Sequence, residues 1–351
     1  MLIVYLLIFL TVLWGLKLRK EPSLDAAVSV RQGTMLKGVF VLLVFASHVG
    51  GYLSVSPADG FLAKGYLSLQ ARIGQLVVVP FLFFSGYGLR VSIAKKGRPY
   101  LRKLPRQRIL RIYLHALVII TLFLAVMLFL GDRYTAGELL AGYLLWGSFG
   151  NSTWYIFCIL LLYLFTWFSF SLFKQTGAAL GSCLLLTLAY FLIISRLNAS
   201  WWYDTVFVFC FGLVFPELLP LLRRFTERHL LPWLGSVALL AAAVLFLTYG
   251  TSGLEGLAYA AKENLRAILV MLLLILLLER LEFGNRLLDW VGKHVFGFYL
   301  LQRLPMILLK HFGVNQLSAA LFVSVSVLGT VLLVVLFDSV FRRMDRLVFR
   351  D

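Results

Sequence analysis

The chain has 351 residues, of which 61% are hydrophobic and 14% charged, and its formal net charge at pH 7 is +17. A soluble domain of this length cannot bury so much apolar surface in one core, so the composition excludes a soluble globular protein and indicates a polytopic membrane protein. The positive charge does not indicate nucleic-acid binding, because the Lys and Arg residues fall between apolar segments, where they act as topology signals. Cys158, Cys183 and Cys210 lie in apolar segments without metal or disulfide spacing and are interpreted as buried hydrophobic residues.

Apolar segments of spanning length predict an all-α fold, a polytopic helical bundle with about 11 transmembrane helices. The first segment has the length of a signal-peptide core, but its basic residues follow it, which favours a retained span with the N-terminus outside. Residues 139–149 are too short to span and are interpreted as interfacial or re-entrant. The predicted spans are approximately 2–16, 35–54, 73–93, 110–130, 152–173, 178–195, 203–222, 230–250, 265–281, 294–312 and 317–341.

The distribution of Lys and Arg sets the predicted orientation, since cytoplasmic loops carry the excess of positive charge. With the N-terminus outside, most of the 33 basic residues lie on one side, which predicts a cytoplasmic C-terminus. The basic residues on this side are Lys174 and those in the segments 17–37, 90–111, 223–228, 280–293 and 342–350.

His48 stands in an otherwise apolar stretch, eleven residues after Lys37, the last charge before that stretch. On an α-helix this separation is about three turns, so the two side chains share a face and lie about 16 Å apart along the axis. That is about half of a hydrocarbon core about 30 Å thick, which predicts that His48 lies near the middle of the membrane. An ionisable side chain at that depth indicates a functional group facing the interior or a wet cavity, and a neutral His hydrogen-bonded to a neighbouring helix is the structural alternative.

The third predicted span places Ser85 and Tyr87 together in its cytoplasmic half, beside Gly86 and Gly88. The glycines permit close helix approach, and the hydroxyls supply hydrogen-bonding groups at membrane depth. Taken alone, this pattern favours a structural role.

Arg106, Arg108 and Arg111 end the basic segment that follows. Arg108 and Arg111, three residues apart, are predicted to share one face at the start of the fourth span, where the helix dipole and free N–H groups favour anions. Two interpretations stay open: a site for a phosphate-bearing cytoplasmic ligand, or an anchor to anionic lipid headgroups.

Three further polar or aromatic candidates lie at the predicted outer side. Trp154 and Tyr155 open the fifth span, where interfacial aromatic belts occur. Asp204 follows an aromatic cluster at 201–203 and either pairs with Arg196 or hydrogen-bonds a sugar hydroxyl. No spacing of Cys, His or acidic residues predicts a metal site.

Together these motifs resemble the membrane acyltransferase family 3, the bacterial O-acyltransferases of surface glycans and lipids. The chain departs from the family pattern at Thr34, where an acidic residue is often found, at Lys37, where Arg is commoner, and at Gln302, where the late motif often ends in His. The matching motifs are Lys37-x10-His48 with Gly38 after the basic residue, Phe84-Ser-Gly-Tyr87, Arg108-Ile-Leu-Arg111-Ile-Tyr113, Trp154-Tyr155 and Val291-Gly-Lys-His-Val-Phe-Gly-Phe-Tyr-Leu-Leu301.

This resemblance implies an acyl-CoA donor, expected to be acetyl-CoA, and an acceptor hydroxyl on a cell-surface glycan or lipid-linked sugar at a bacterial cytoplasmic (inner) membrane. It implies that His48 is a general base or a transient acyl carrier, and that Lys37 holds the donor or orients the site. Membrane lipid is the expected surrounding, and neither a metal nor nucleic acid is expected. The other implied roles are CoA phosphate binding by Arg106, Arg108 and Arg111, lining of the thioester passage by Ser85 and Tyr87, and acceptor binding by Trp154, Tyr155 and Asp204.

The resemblance also divides the chain into an additional N-terminal transmembrane helix at 1–20, a membrane acyltransferase domain at 31–341 and a basic cytoplasmic tail at 342–351. The competing interpretations are a transporter or flippase of a lipid-linked sugar, in which His48 is a proton-coupling site, and a glycan polymerase. The sequence predicts no oligomeric state.

Overall fold

The structure, a computed structural model, describes residues 2–53, 55–227, 229–250 and 253–349. Several residues of the topology prediction therefore lie outside the described residues: Met1, Ser54 at the end of the second span, the loop residue Arg228, and Arg350 and Asp351 of the tail. The described chain is almost wholly helical, with two short strands, β1 (Leu16–Leu18) and β2 (Leu281–Phe283).

The helices, in chain order, are α1 (Leu2–Leu13), α2 (Leu24–Ala27), α3 (Val30–Gly50), α4 (Phe61–Ile73), α5 (Val79–Leu104), α6 (Arg111–Phe129), α7 (Ala136–Tyr143), α8 (Trp154–Leu172), α9 (Thr176–Leu197), α10 (Phe207–Thr226), α11 (Leu230–Tyr249), α12 (Gly256–Arg280), α13 (Arg286–Lys293), α14 (Val295–Leu301), α15 (Arg303–His311), α16 (Val314–Leu317) and α17 (Ala319–Val348). A π-helix, Pro105–Leu110, joins α5 to α6, and short 3-10 helices lie at Pro57–Asp59, Gly74–Val78 and Ser200–Trp202.

Seven helical segments of the described chain are long and apolar enough to cross a membrane, which supports an all-α membrane bundle. The predicted count of eleven spans is not confirmed. In particular, α1 has 12 residues and is about 18 Å long, against a hydrocarbon core of about 30 Å. The seven segments are Val30–Gly50, Phe61–Phe129, Trp154–Leu172, Thr176–Leu197, Ser200–Thr226, Leu230–Tyr249 and Ala319–Val348.

Contacts between the connecting segments agree with the predicted alternation of spans. β1 pairs with β2 in antiparallel register, which joins the segment after α1 to the segment after α12. Beside this pair Arg19 forms an ion pair with Glu282 at 3.0 Å. Arg266 donates to the backbone carbonyl of Arg72 at 2.9 Å, and the prediction places both of these residues on the other side. Segments predicted to share a side therefore meet, and which side is cytoplasmic stays a prediction.

α3, which carries Lys37 and His48, is fixed at its start by two polar side chains. The Ser29 hydroxyl accepts a hydrogen bond from the Gln32 N–H, an N-cap that sets the first turn. The buried Gln32 amide exchanges two hydrogen bonds with the backbone of Phe283 in β2, at 2.9 and 3.1 Å. Because α3 then runs without a break to Gly50, Lys37 and His48 lie on one face about 16 Å apart along the axis, as predicted.

Glycines bring α5 and α10 into close contact. A Cβ on Gly86 would overlap the carbonyl oxygen of Phe209, and a Cβ on Gly212 would overlap the carbonyl oxygen of Phe83. Gly88 has open space around it. The predicted close approach of the third span is therefore confirmed at Gly86 and not at Gly88, and it holds α5 in a fixed position beside α10.

Residues 94–109 are helical, although the sequence predicts a loop there. α5 continues to Leu104 with a kink at Gly97, where φ is 59°, and the π-helix carries the chain directly into α6. Arg108 therefore lies inside a continuous helical run, and the Arg111 N–H donates to its carbonyl. The predicted free helix N-terminus at Arg108 is wrong, because a helix exposes unbonded N–H groups only in its first turn.

The end of α7 packs against α6, and Gly142 is the buried residue of this helix. Thr135 and Glu138 form a capping box that starts α7. At its end, the Tyr143 carbonyl accepts a hydrogen bond from the Tyr113 hydroxyl at 3.0 Å, and the Tyr143 hydroxyl lies 3.2 Å from Thr121 Oγ1. Tyr113 and Thr121 are about 12 Å apart along α6, so Tyr143 lies alongside α6 and not beyond its end. This position agrees with a re-entrant segment.

Candidate active site

Four of the predicted site residues line one cavity of about 210 Å³. Lys37 reaches it from α3, Ser85 from α5, Arg108 from the π-helix and Tyr155 from α8. The rest of the wall is mostly aromatic and aliphatic and includes Phe81, Tyr163, Phe296 and Tyr299. The cavity thus combines cations and hydroxyls with an apolar wall.

Two positive charges face this cavity, and none of its described lining residues is acidic. Lys37 and Arg108 lie close enough to repel each other electrostatically. Two like charges in a partly buried cavity are unfavourable unless an anion neutralises them. The arrangement is therefore suited to a ligand that carries phosphate.

Arg111 lies in a neighbouring cavity of about 340 Å³. Its guanidinium already has partners there: Nε lies 3.4 Å from the Asp345 carboxylate, and the group lies over the Phe349 ring at 4.8 Å. The two cavities have two lining residues in common, Ile112 and Phe296. The two cavities therefore lie next to each other.

Arg106, Arg108 and Arg111, which are predicted to bind the CoA phosphates together, lie apart in the structure. Arg108 and Arg111 line different cavities, and the exposed Arg106 donates to the backbone carbonyl of Val348 at 2.9 Å. The predicted common face of Arg108 and Arg111 assumes α-helical turns. The wider turn of the π-helix rotates side chains three residues apart further from each other.

Ser85 and Tyr87 point in opposite directions from α5. Ser85 lines the cavity, whereas Tyr87 stacks on Phe83 with ring centroids 5.9 Å apart and lies edge-on to Phe215 of α10. Two steps along an α-helix rotate the side-chain direction by about 200°, so Ser85 and Tyr87 cannot both line the same cavity wall.

Trp154 and Tyr155 also have different surroundings. Tyr155 is buried, lines the cavity, and packs against Tyr299 with ring centroids 5.3 Å apart. Trp154 contacts Tyr155 edge-on at 5.8 Å but does not line the cavity. Because belt residues lie at the water interface, an aromatic belt does not account for a buried Tyr155.

Asp204 lies in a buried charged cluster and lines neither cavity. It is 4% exposed and interacts electrostatically with Glu263 and Arg266 of α12, which form an ion pair with each other. Its Oδ1 is buried and has no hydrogen-bond partner among the described residues. The structure therefore gives Asp204 different charged neighbours from the predicted Arg196.

His48 lies beyond Lys37 on the same face of α3. Its Nδ1 is buried and has no hydrogen-bond partner among the described residues. A structural histidine is expected to have this atom satisfied, so the hydrogen-bonded alternative finds no support at Nδ1. The charged group that interacts with the imidazole is the guanidinium of Arg303.

Arg303 is a site residue that the sequence analysis missed. It is the first residue of α15, and it donates from Nε to the Tyr52 hydroxyl at 3.1 Å. The sequence contains a signal for this residue, because Arg303 lies within the predicted span 294–312. An ionisable residue inside a span indicates a functional group, as it does for His48. The positive-inside count treats Arg303 only as a basic residue of the outer side.

The fold and the cavity thus define a membrane-embedded helical protein in which two cations, Lys37 and Arg108, line one cavity. The buried, unpartnered Nδ1 of His48 lies three turns further along α3. A family model described as an acyltransferase domain matches residues 34–338. The chain belongs to the membrane acyltransferase family 3, which confirms the resemblance. No curated protein and no solved structure matches it. Among the described residues, no group of three or more His, Cys, Asp or Glu side chains could hold a metal ion.

Proposed function

We propose that the protein is an acyl-CoA-dependent O-acyltransferase that moves an acyl group, with acetyl as the expected group, to a hydroxyl of a cell-surface glycan or lipid-linked sugar. The observation that carries the proposal is the pair of cations, Lys37 and Arg108, in one cavity without an acidic lining residue. The diphosphate of CoA is a group that two such cations bind well. Lipid anchoring would explain the exposed Arg108 alone, but it does not explain why the half-buried Lys37 lines the same cavity.

The length of α3 supports the same donor. The extended pantetheine arm of CoA reaches about 15 Å from the diphosphate to the sulfur, as judged from ordinary backbone bond lengths. Lys37 and His48 are about 16 Å apart along the helix. A donor whose phosphates bind at Lys37 therefore brings its thioester close to His48.

The sizes of the two cavities favour a division of the donor between them. The first, about 210 Å³, is smaller than the about 300–1,000 Å³ of typical ligand pockets, so it suits the phosphates and the arm but not the whole donor. The adenosine end would then lie in the neighbouring cavity of about 340 Å³, where Arg111 is a lining residue.

His48 is the proposed reacting group, either as the general base that takes the proton of the acceptor hydroxyl or as a transient acyl carrier. The acceptor would approach from the outer side of a bacterial cytoplasmic membrane, and we assign Trp154 to acceptor binding. Asp204 is left out of this assignment, because it is buried in its charged cluster and lines neither cavity. Tyr155, on the cavity wall, would lie between donor and acceptor.

The test is release of free CoA from acetyl-CoA by the purified full-length protein in liposomes that contain acceptor lipids from the source organism. We expect CoA release without any ion gradient, and loss of it in His48→Ala. A transporter or flippase would instead move the lipid-linked sugar with coupled proton flux and leave the thioester intact. That second result would overturn the proposal.

A further inference from the structure

The guanidinium of Arg303 lies where the donor cavity and His48 approach each other. Tyr299, which lines the donor cavity, is one helical turn before Arg303, and the two groups interact electrostatically. The guanidinium also interacts electrostatically with the His48 imidazole. α3 and α14–α15 run in the same predicted direction, so Arg303 is about 6 Å beyond the Tyr299 level, toward the side of His48.

Two hydroxyls fix the orientation of this guanidinium. Nε donates to Tyr52 Oη at 3.1 Å, and Nη1 donates to the buried Ser152 Oγ at 3.4 Å. Tyr52 follows His48 by four residues, so the helix that carries the imidazole also leads into the residue that holds Arg303. The guanidinium is thus held by neutral groups, and it forms no ion pair with a described carboxylate.

An arginine that is held in place but not neutralised is suited to a negative charge that exists only briefly. A carboxylate partner would satisfy the guanidinium permanently and weaken its attraction for any other anion. Acyl transfer produces such a transient charge on the carbonyl oxygen of the thioester, and preorganised donors aimed at that oxygen are the usual means of stabilising it.

We propose that Arg303 stabilises the oxyanion of the tetrahedral intermediate, an assignment that rests on the acyltransferase function proposed above. The attacking atom, an acceptor hydroxyl oxygen or a His48 nitrogen, forms a bond to the carbonyl carbon, and the carbonyl oxygen gains the electron pair and negative charge. Where the hydroxyl attacks, its proton passes to His48. In that case the carbon–sulfur bond then breaks, the carbonyl reforms, and the leaving CoA thiolate takes the proton from the imidazolium. Where a His48 nitrogen attacks, the same cleavage gives acyl-His48, whose remaining ring N–H proton passes to the CoA thiolate. The acceptor hydroxyl then attacks the acyl-His48 carbonyl through a second oxyanion, its oxygen keeps the acyl group, and its proton returns to the released imidazole.

The experiment compares Arg303→Gln with the wild-type protein, with acetyl-CoA as donor and acceptor lipids from the source organism. We expect kcat to fall roughly 10²- to 10³-fold, as for removal of an oxyanion donor, with little change in KM for acetyl-CoA. Arg303→Lys should retain part of kcat, since it keeps the charge but loses the planar fork. Tyr52→Phe keeps the guanidinium but frees its Nε, and should lower kcat roughly 2- to 10-fold.

Arg196→Gln is the matched control. Arg196 is an exposed arginine near the end of α9 and is predicted to lie on the same side of the membrane, so this variant loses the same charge away from the site. If Arg303→Gln does not fold, as judged by gel filtration and thermal unfolding, the kcat values of Tyr52→Phe and Arg303→Lys test the assignment in its place. An unchanged kcat in these variants would overturn the assignment, as would a loss confined to the acceptor KM. Failure of the wild-type protein to release CoA would instead reject the proposed function.

Discussion

Removing the charge of Arg108 should weaken donor binding more than removing that of any neighbouring arginine. Arg108→Gln takes away one of the two cations of the donor cavity. A hydrogen bond to a charged group contributes about 1.5–3 kcal/mol, which is roughly a 10- to 150-fold change in affinity at about 1.4 kcal/mol per tenfold. Because Arg108 is also exposed to solvent, screening places the expected rise in the acetyl-CoA dissociation constant toward the lower end of this range.

Arg111→Gln and Arg106→Gln are the matched comparisons for this prediction. Arg111 already pairs with Asp345, so its loss should have a smaller effect. Arg106 binds a backbone carbonyl outside both cavities, and its loss should leave donor affinity unchanged. Calorimetric titration with CoA measures the constants, and turnover of S-acetyl-N-acetylcysteamine, a short thioester without phosphate, should be the same in wild type and Arg108→Gln. Equal losses for Arg106 and Arg108, or an unchanged affinity for Arg108→Gln, would refute the reasoning and return the basic segment to a lipid-anchoring role.

Three further predictions test catalysis, packing and topology. His48→Ala should lower CoA release at least about 100-fold while the protein keeps its elution volume and melting temperature, since loss of a general base has an effect of this size; near-normal release would remove His48 from the mechanism. Gly86→Leu should destabilise the protein by about 1–3 kcal/mol in thermal unfolding, because the new side chain must displace α10. Gly88→Ala should have little effect, and equal melting temperatures for the Gly86→Leu and Gly88→Ala variants would contradict the packing described. A cysteine at Arg98 should react with impermeant thiol reagents only from the cytoplasm and one at Ala58 only from outside; the reverse pattern would invert the topology.

The sequence predicted the helical class of the fold and the relation between Lys37 and His48, and both have simple physical causes. Apolar composition requires helices in a bilayer, because every backbone polar group must be satisfied internally. The relation between the two side chains needs only an unbroken helix, and Ser29 and Gln32 fix the start of that helix.

The arginines were harder to predict because their positions depend on helix type. A regular α-helix would place Arg108 and Arg111 on one face, but Pro105–Leu110 is a π-helix. Proline lacks an N–H, which removes one donor from the i→i−4 ladder, yet this alone does not specify a π-helix. The Lys and Arg content of the sequence therefore marks the basic segment but does not show which of its cations line the same cavity.

A long-range glycine contact was equally beyond sequence reasoning. A Cβ on Gly38 would overlap the carbonyl oxygen of Leu288, and a Cβ on Gly292 would overlap that of Thr34. The first and last family motifs therefore meet where α3 packs against α13. Nothing local in either segment predicts this pairing, but it explains why a glycine directly follows the basic residue and why the late motif also contains one.

The π-helix Pro105–Leu110 contains Arg108, to which we assign donor binding, and its turn changes the directions in which neighbouring side chains point. A regular helix repeats its side-chain directions every 3.6 residues, so cations close in sequence tend to face the same surroundings. The π-helix separates Arg108 from Arg111, so that one can face the donor phosphates while the other stays with Asp345. At the π-helix a local departure from the α-helix thus distributes charge between two adjacent cavities, and it does so without a loop inside the bundle.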